Sequence, residues 1–140
     1  MAENSTLDEH ALRKILREAK VIAVVGRSDD HYYTSYQVGE YLIEKGYRVY
    51  SVNPNIDKID GEKVYDSLAD IPEPIDIVDV FRNSSHLPQV VDESIAVGAK
   101  MIWAQLGVED SAAARTAVEA GLNIVMDMCI RTEHQRLFGS

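Results

Sequence analysis

Apolar residues near the start of the chain recur at Leu7, Ala11, Leu12, Ile15, Leu16 and Ala19. Steps of three and four residues place them on one face of a helix. Asp8 and Glu9 suit its first turn and Arg17 and Lys20 its end, because the backbone dipole is positive at the start and negative at the finish. The period then changes. VIAVV at 21–25 is a continuous, β-branched apolar run, the pattern of a strand covered on both faces. Gly26 stops it and the polar stretch RSDDHYY follows. Thr34 and Gln37 have capping-box spacing, which predicts a helix starting near Thr34 or Ser35. Val38, Tyr41 and Leu42 form its buried stripe, and Gly46 ends it.

The alternation continues to the end of the chain. A second strand is predicted over 47–52, stopped by Asn53-Pro54. Residues 55–75 are less regular, with turn signals at Asp60-Gly61, Pro72 and Pro74 and a helical turn around 67–69. A third strand is predicted over 76–81 (DIVDVF), then a helix capped by Ser84 or Ser85 with Pro88 in its first turn and Gly98 at its end. KMIWAQL at 100–106 is a fourth strand. Glu109 and Asp110 open a helix running to Ala120, NIVM at 123–126 is a fifth strand, and a final helix covers about 130–137. Strands alternating with amphipathic helices predict an α/β fold: a doubly wound, Rossmann-like, five-stranded parallel sheet of order 3-2-1-4-5 with helices on both faces.

Composition narrows the picture. The chain has 140 residues, 46% hydrophobic and 26% charged, which suits one domain over 1–140 with residues 1–6 frayed. The longest aliphatic run is VIAVV, far short of the ~20 residues a membrane helix needs, so no membrane contact is expected. Lys and Arg number 14 against 23 Asp and Glu, a net charge of −9 that repels a nucleic-acid backbone. Cys129 is the only cysteine, and the N-terminal MAENSTLDEH is polar and acidic. Both point to a reducing, cytoplasmic setting.

In doubly wound sheets, ligands sit beyond the carboxyl ends of the strands. The residues there are Gly26, Arg27 and Ser28; Asn53, Pro54 and Asn55; Phe81, Arg82 and Asn83; Gln105, Leu106 and Gly107; and Asp127, Met128 and Cys129. This rim offers amides, hydroxyls, helix N-termini and two guanidinium groups able to fork onto phosphate, so it reads as a site for a phosphate-bearing ligand. NAD is disfavoured: only Gly26 occupies the G-x-G-x-x-G turn, and Asn53 stands where an acid would hold the ribose. The phosphate-binding loop of ATPases is absent as well.

The stretches IAVVGRS (22–28), TSYQV (34–38), GYRVYSVNPN (46–55), IDIVDVFRNS (75–84), GAKMIWAQLGV (98–108) and GLNIVMDMCI (121–130) occur together and in order. With them the chain resembles the stand-alone CoA-binding proteins, whose fold is similar to the N-terminal domain of the succinyl-CoA synthetase alpha subunit. The resemblance implies that Gly26, Arg27, Ser28 and Ser35 cradle a pyrophosphate. It implies that Asn53 and Pro54 border the adenosine, that Phe81 and Arg82 flank the nucleotide, and that Gln105 lines the pantetheine path. Met128 stands where many relatives carry arginine. The implied ligand is CoA or an acyl-CoA, bound without intrinsic catalysis; no catalytic or metal-ligating residue is assigned. The alternatives are an NAD(P)-dependent enzyme or redox sensor, and the nucleotide-binding half of a split acyl-CoA synthetase. The protein partners this admits are a second copy or a synthetase-type chain.

Several residues carry a second reading. Asp79 lies inside an apolar strand and is expected to hydrogen-bond a neighbouring loop. Tyr32, Tyr33 and Tyr36 form either a lid for adenine or, more simply, a packed surface loop. Cys129 is a nucleophile or metal ligand with Asp127 and His134, a thiol that pairs with that of CoA, or, most plainly, a buried inert thiol. His10, His31 and His86 are expected on the surface and Trp103 in the core.

Overall fold

The computed structural model describes residues 7–139, so the fraying expected of 1–6 lies outside the described residues. The elements, in chain order, are α1 (Glu9–Glu18), β1 (Val21–Val25), α2 (Thr34–Glu44), β2 (Arg48–Val52), β3 (Lys58–Ile59), β4 (Glu62–Tyr65), β5 (Ile77–Val80), α3 (Leu87–Ala96), β6 (Met101–Ala104), α4 (Ser111–Glu119), β7 (Asn123–Val125) and α5 (Ile130–Phe138). Short 3₁₀ turns cover Leu68–Asp70 and Ser84–His86.

Each strand face finds its own helices, which is the doubly wound arrangement. Ala23, Val25, Val78, Val80, Ile102 and Ala104 pack under α3 and α4 through Val90, Val91, Ala113, Ala114 and Ala117. Ile22, Val24, Ile77, Met101 and Trp103 pack under α1, α2 and α5 through Leu12, Leu16, Val38, Leu42 and Leu137. All five residues of β1 are buried, as VIAVV requires of a central strand.

The sheet has seven strands in the order β3-β4-β2-β1-β5-β6-β7, which corrects the five-strand count and the order 3-2-1-4-5. Among the five expected strands the order is 2-1-3-4-5: β5 lies on the far side of β1 from β2, in register Ile22↔Ile77 to Val25↔Val80. The place expected for it is taken by β4, which pairs parallel with β2 at Ser51↔Val64 and Val52↔Tyr65. β3 and β4 form an antiparallel hairpin through Asp60-Gly61. Both turn residues have positive φ (51° and 83°), the backbone of the tight two-residue hairpin that Asp-Gly favours. Lys58, Glu62 and Lys63 flank it without apolar alternation, so the turn signal carried no strand signal with it.

Two caps also differ from expectation. The N-cap of α2 is Tyr33, and no side chain caps it. Gln37 reaches instead to the carbonyls of His31 and Tyr32, so the Thr34–Gln37 box does not close. Asn83, rather than Ser84 or Ser85, caps the turn before α3 by accepting from the Ser85 N–H.

Candidate functional site

The strand order reverses between β1 and β5, so the crevice lies above their carboxyl ends. Gly26 leaves β1 with φ +85°, its N–H donating to the Val52 carbonyl at 2.8 Å. A β-carbon there would stand 3.1 Å from Arg82 Cδ and 3.2 Å from the Phe81 carbonyl oxygen. The loops after β1 and β5 therefore touch at a point where only glycine fits without strain.

The loop after β1 folds onto the start of α2. The Ser28 N–H donates to Ser35 Oγ at 2.9 Å, and the Asp30 N–H donates to Ser28 Oγ at 2.9 Å. Helix α2 has no side-chain cap and no acid in its first turn, so its positive end is not neutralised by its own chain. Asn53 holds the turn after β2 against this loop: its Nδ2 donates to the Arg27 carbonyl at 3.1 Å and its Oδ1 accepts from the Asn55 N–H at 3.0 Å. Gly26, Ser28, Ser35, Asn53, Phe81 and Arg82 are thus gathered around one crevice.

The two arginines have different placements. Arg27 is buried, with 4% of its surface exposed. Its guanidinium turns back under α2, donating to Ser51 Oγ (3.1 Å), the Tyr36 carbonyl (3.2 Å) and Glu40 Oε2 (2.8 Å), and lies 4.9 Å from the centre of the Tyr36 ring. It passes so close to α2 that a β-carbon on Gly39 would lie 2.4 Å from its Nε. Arg82 makes no ion pair among the described residues. It borders a hollow of about 100 Å³ at the crevice, floored by Val25, Val52 and Leu68 and edged by Pro54, His86 and Gln89. An apolar cavity of ~150 Å³ takes a benzene ring, so this hollow is too small for a whole nucleotide. A wider hollow of about 590 Å³ runs along β2 and β4, walled by Arg48, Lys63, Glu40, Asp60 and Glu62 among others. It lies off the strand ends; the smaller crevice, which lies at them, also carries both signs of charge, with Asp66 and Glu93 lining it beside Arg82.

Gln105 is buried on the rim farther along, where its Oε1 accepts from the Ile130 N–H at 3.1 Å. The set Asp127, Cys129 and His134 is not wired together. Asp127 Oδ1 accepts from the Gly107 N–H at 2.8 Å, and His134 Nδ1 pairs with the Tyr41 hydroxyl at 2.7 Å. Asp79 is fully buried and neither carboxyl oxygen has a partner, contrary to the expected loop hydrogen bond. It faces the packed layer under α2 and α5, where no loop backbone reaches it.

Four residues matter more than their sequence suggested. Asp60, at the hairpin tip, accepts from the Tyr36 hydroxyl and pairs with His31 at 3.0 Å, while His31 stacks on the Tyr36 ring with centroids 4.1 Å apart. The Tyr36 and His31 hydrogen bonds hold the Asp60 carboxyl below its ordinary range, and the same bond to Asp60, with burial, pushes the Tyr36 phenol up to about 12. Tyr36 therefore anchors the loop, while Tyr32 and Tyr33 stay exposed. Gly39 carried a signal of its own, a glycine inside a helical pattern.

Comparison with known proteins agrees with the fold. The family model described as "CoA binding domain" matches residues 20–135. The uncharacterized protein YneT of Bacillus subtilis (strain 168) is 42% identical over 123 residues, 88% of this chain and 91% of that one. A hypothetical protein from Pyrococcus horikoshii OT3 superposes with a TM-score of 0.92 at 40% identity, covering 95% of this chain and 94% of that one. An acetate–CoA ligase (ADP-forming) of Methanocaldococcus jannaschii is 28% identical over 87 residues, 62% of this chain but only 12% of the ligase.

Proposed function

The chain belongs to the CoA-binding-domain family, and on that premise we propose that it binds CoA or an acyl-CoA at the carboxyl-end rim of its sheet. The observation that carries the reading is the Arg82 guanidinium, with no ion pair among the described residues, beside the Gly26 close approach at the carboxyl ends of β1 and β5. A diphosphate there meets free helix N–H groups, the positive end of the helix dipole and a forked cation. Gly26, Ser28 and Ser35 form the phosphate cradle. Asn53 and Pro54 border the adenosine. Phe81 flanks the nucleotide, and Gln105 lies along the pantetheine path. Arg27 serves the cradle indirectly, by fixing α2 against β2 and presenting its carbonyl to Asn53.

The protein holds its ligand without turning it over, because the Asp127, Cys129 and His134 side chains are engaged with other partners or apart. Calorimetry with CoA, 3′-dephospho-CoA and NAD tests the proposal. Heat with CoA and none with NAD is the expected result; no heat with any CoA form at high micromolar concentration refutes it. A second reading is favoured by the similarity to part of an ADP-forming acetate–CoA ligase. In it the chain supplies the nucleotide-binding part of a two-chain synthetase, and co-purification with an ATP-grasp-type partner is its test.

A further inference from the structure

The end of α1, the turn between α2 and β2 and the second half of α5 enclose a hollow of about 400 Å³. Small-molecule sites run to about 300–1,000 Å³. The hollow lies at the opposite end of α2 from the crevice, 11 residues of helix or ~16 Å away. Leu16, Ala19 and the rings of Tyr47 and Phe138 form its apolar walls. The rest of its lining is basic. Arg17 and Lys45 border it, both exposed and neither in an ion pair among the described residues. No carboxylate among the described residues lines it, although the chain carries a net charge of −9. Glu18 and Glu44, beside these cations in sequence, line other hollows, at the amino ends of β6 and β7 and between α2 and α5. The hollows beside Arg82 and along β2 and β4 hold carboxylates as well. A cation at the end of a helix complements that helix's own dipole. That explains Arg17 and Lys45 one at a time; it gives no reason for both to border one acid-free hollow.

A third donor is buried beside them. His134 of α5 keeps 8% of its surface exposed, and its Nδ1 lies 2.7 Å from the Tyr41 hydroxyl. Burial and the Lys45 ammonium push its pKa below the ordinary value, so the ring is neutral at pH 7. The Tyr41 hydroxyl hydrogen has Nδ1 as its acceptor, which leaves the ring proton on Nε2. That N–H has no partner among the described residues, and the ring lines the hollow. Buried polar groups in folded proteins are hydrogen-bonded, so a free N–H on so buried a ring asks for an acceptor. Tyr47 and Phe138 fix the ring's orientation, with centroids 5.9 Å and 4.8 Å from it.

We propose that this hollow is a second ligand site, separate from the rim, for the anion of a small organic acid with an apolar body. The carboxylate accepts from the His134 Nε2–H and meets the Arg17 and Lys45 cations. The body lies against Tyr47, Phe138 and Leu16. Charge-assisted hydrogen bonds select the anion, and the rings select the body. The inference stands on this hollow alone and does not need the rim to bind CoA.

The test is titration of the full chain with phenylacetate, followed by amide and histidine-ring NMR shifts at constant pH. The controls are 2-phenylethanol, which keeps the ring without the charge, and acetate, which keeps the charge without the ring. Phenylacetate is expected to give one saturable set of shifts centred on Gly46, Tyr47 and Phe138, with the His134 Nε2 signal moving most. It should bind at least about ten-fold more tightly than either control. Arg17→Gln and Lys45→Gln change exposed side chains and leave the fold intact; each should weaken phenylacetate about two- to five-fold and leave 2-phenylethanol unchanged. No saturation at tens of millimolar, shifts centred elsewhere, or equal affinity for 2-phenylethanol overturns the site. Equal affinity for acetate overturns the apolar body, and unchanged affinity in the double variant overturns the cation contacts. Saturating CoA should leave the phenylacetate shifts in place; competition by CoA would put the acid at the rim and overturn a second site.

Discussion

Replacing each rim arginine by alanine separates a structural guanidinium from a ligand-binding one. Arg27→Ala deletes three hydrogen bonds and a ring contact and leaves Ser51 Oγ without that donor, while the Tyr36 carbonyl keeps its partner within α2. Unpairing a buried polar group costs about 1–3 kcal/mol. Glu40 is about half exposed and rehydrates, so its loss adds little. The expected destabilisation is about 2–4 kcal/mol, read by urea denaturation at pH 7 as a lower midpoint at unchanged slope. Arg82→Ala breaks no ion pair among the described residues, so stability should stay within about 0.5 kcal/mol. A charged hydrogen bond to phosphate is worth about 1.5–3 kcal/mol, so CoA affinity in the same variant should fall about 10- to 150-fold by calorimetry. The opposite pattern refutes the reasoning: Arg27→Ala fully stable but deaf to CoA, with Arg82→Ala binding normally.

Three further outcomes follow from the same contacts. Gly39→Ala should cost about 1–3 kcal/mol in urea denaturation through overpacking against Arg27 Nε, and the cost should vanish in an Arg27→Ala background; an additive double variant would show that the two sites do not meet. Asp79 holds its proton in the folded state and loses it on unfolding, so its contribution to stability is greatest below the ordinary aspartate value near 3.9 and is lost as pH rises towards its raised folded value. Asp79→Asn should therefore flatten the stability–pH curve above pH 4, and parallel curves for the two proteins would contradict the buried, neutral carboxyl. In an alkaline absorbance titration Tyr36 should ionise at about 12, and Tyr36→Phe should remove one late-titrating phenol; an unchanged late phase would break the assigned bond to Asp60.

Period and punctuation determined much of this protein before any coordinates. VIAVV, and the cores of DIVDVF and KMIWAQL apart from Asp79, are apolar without alternation, which strands buried on both faces tolerate, and the stripes between them require helices on both sides. That also located the rim and its Gly26 turn, because the position of a ligand crevice follows from winding. Pairing partners were a different matter. The β3–β4 hairpin is a few residues of polar sequence around Asp60-Gly61, and its stability comes from β2 alongside, a contact remote along the chain. Side-chain direction was equally undetermined. Arg27 and Arg82 look alike as residues following strands, yet Gly39 opens a slot that draws the first inward, while the second stays at the crevice. Ile77 of β5 and Cys129 before α5, fifty-two residues apart in sequence, likewise share one packed layer only because the tertiary fold brings their elements together. Local sequence specifies periodicity and turn chemistry; which groups face one another is decided by the register of strands distant along the chain.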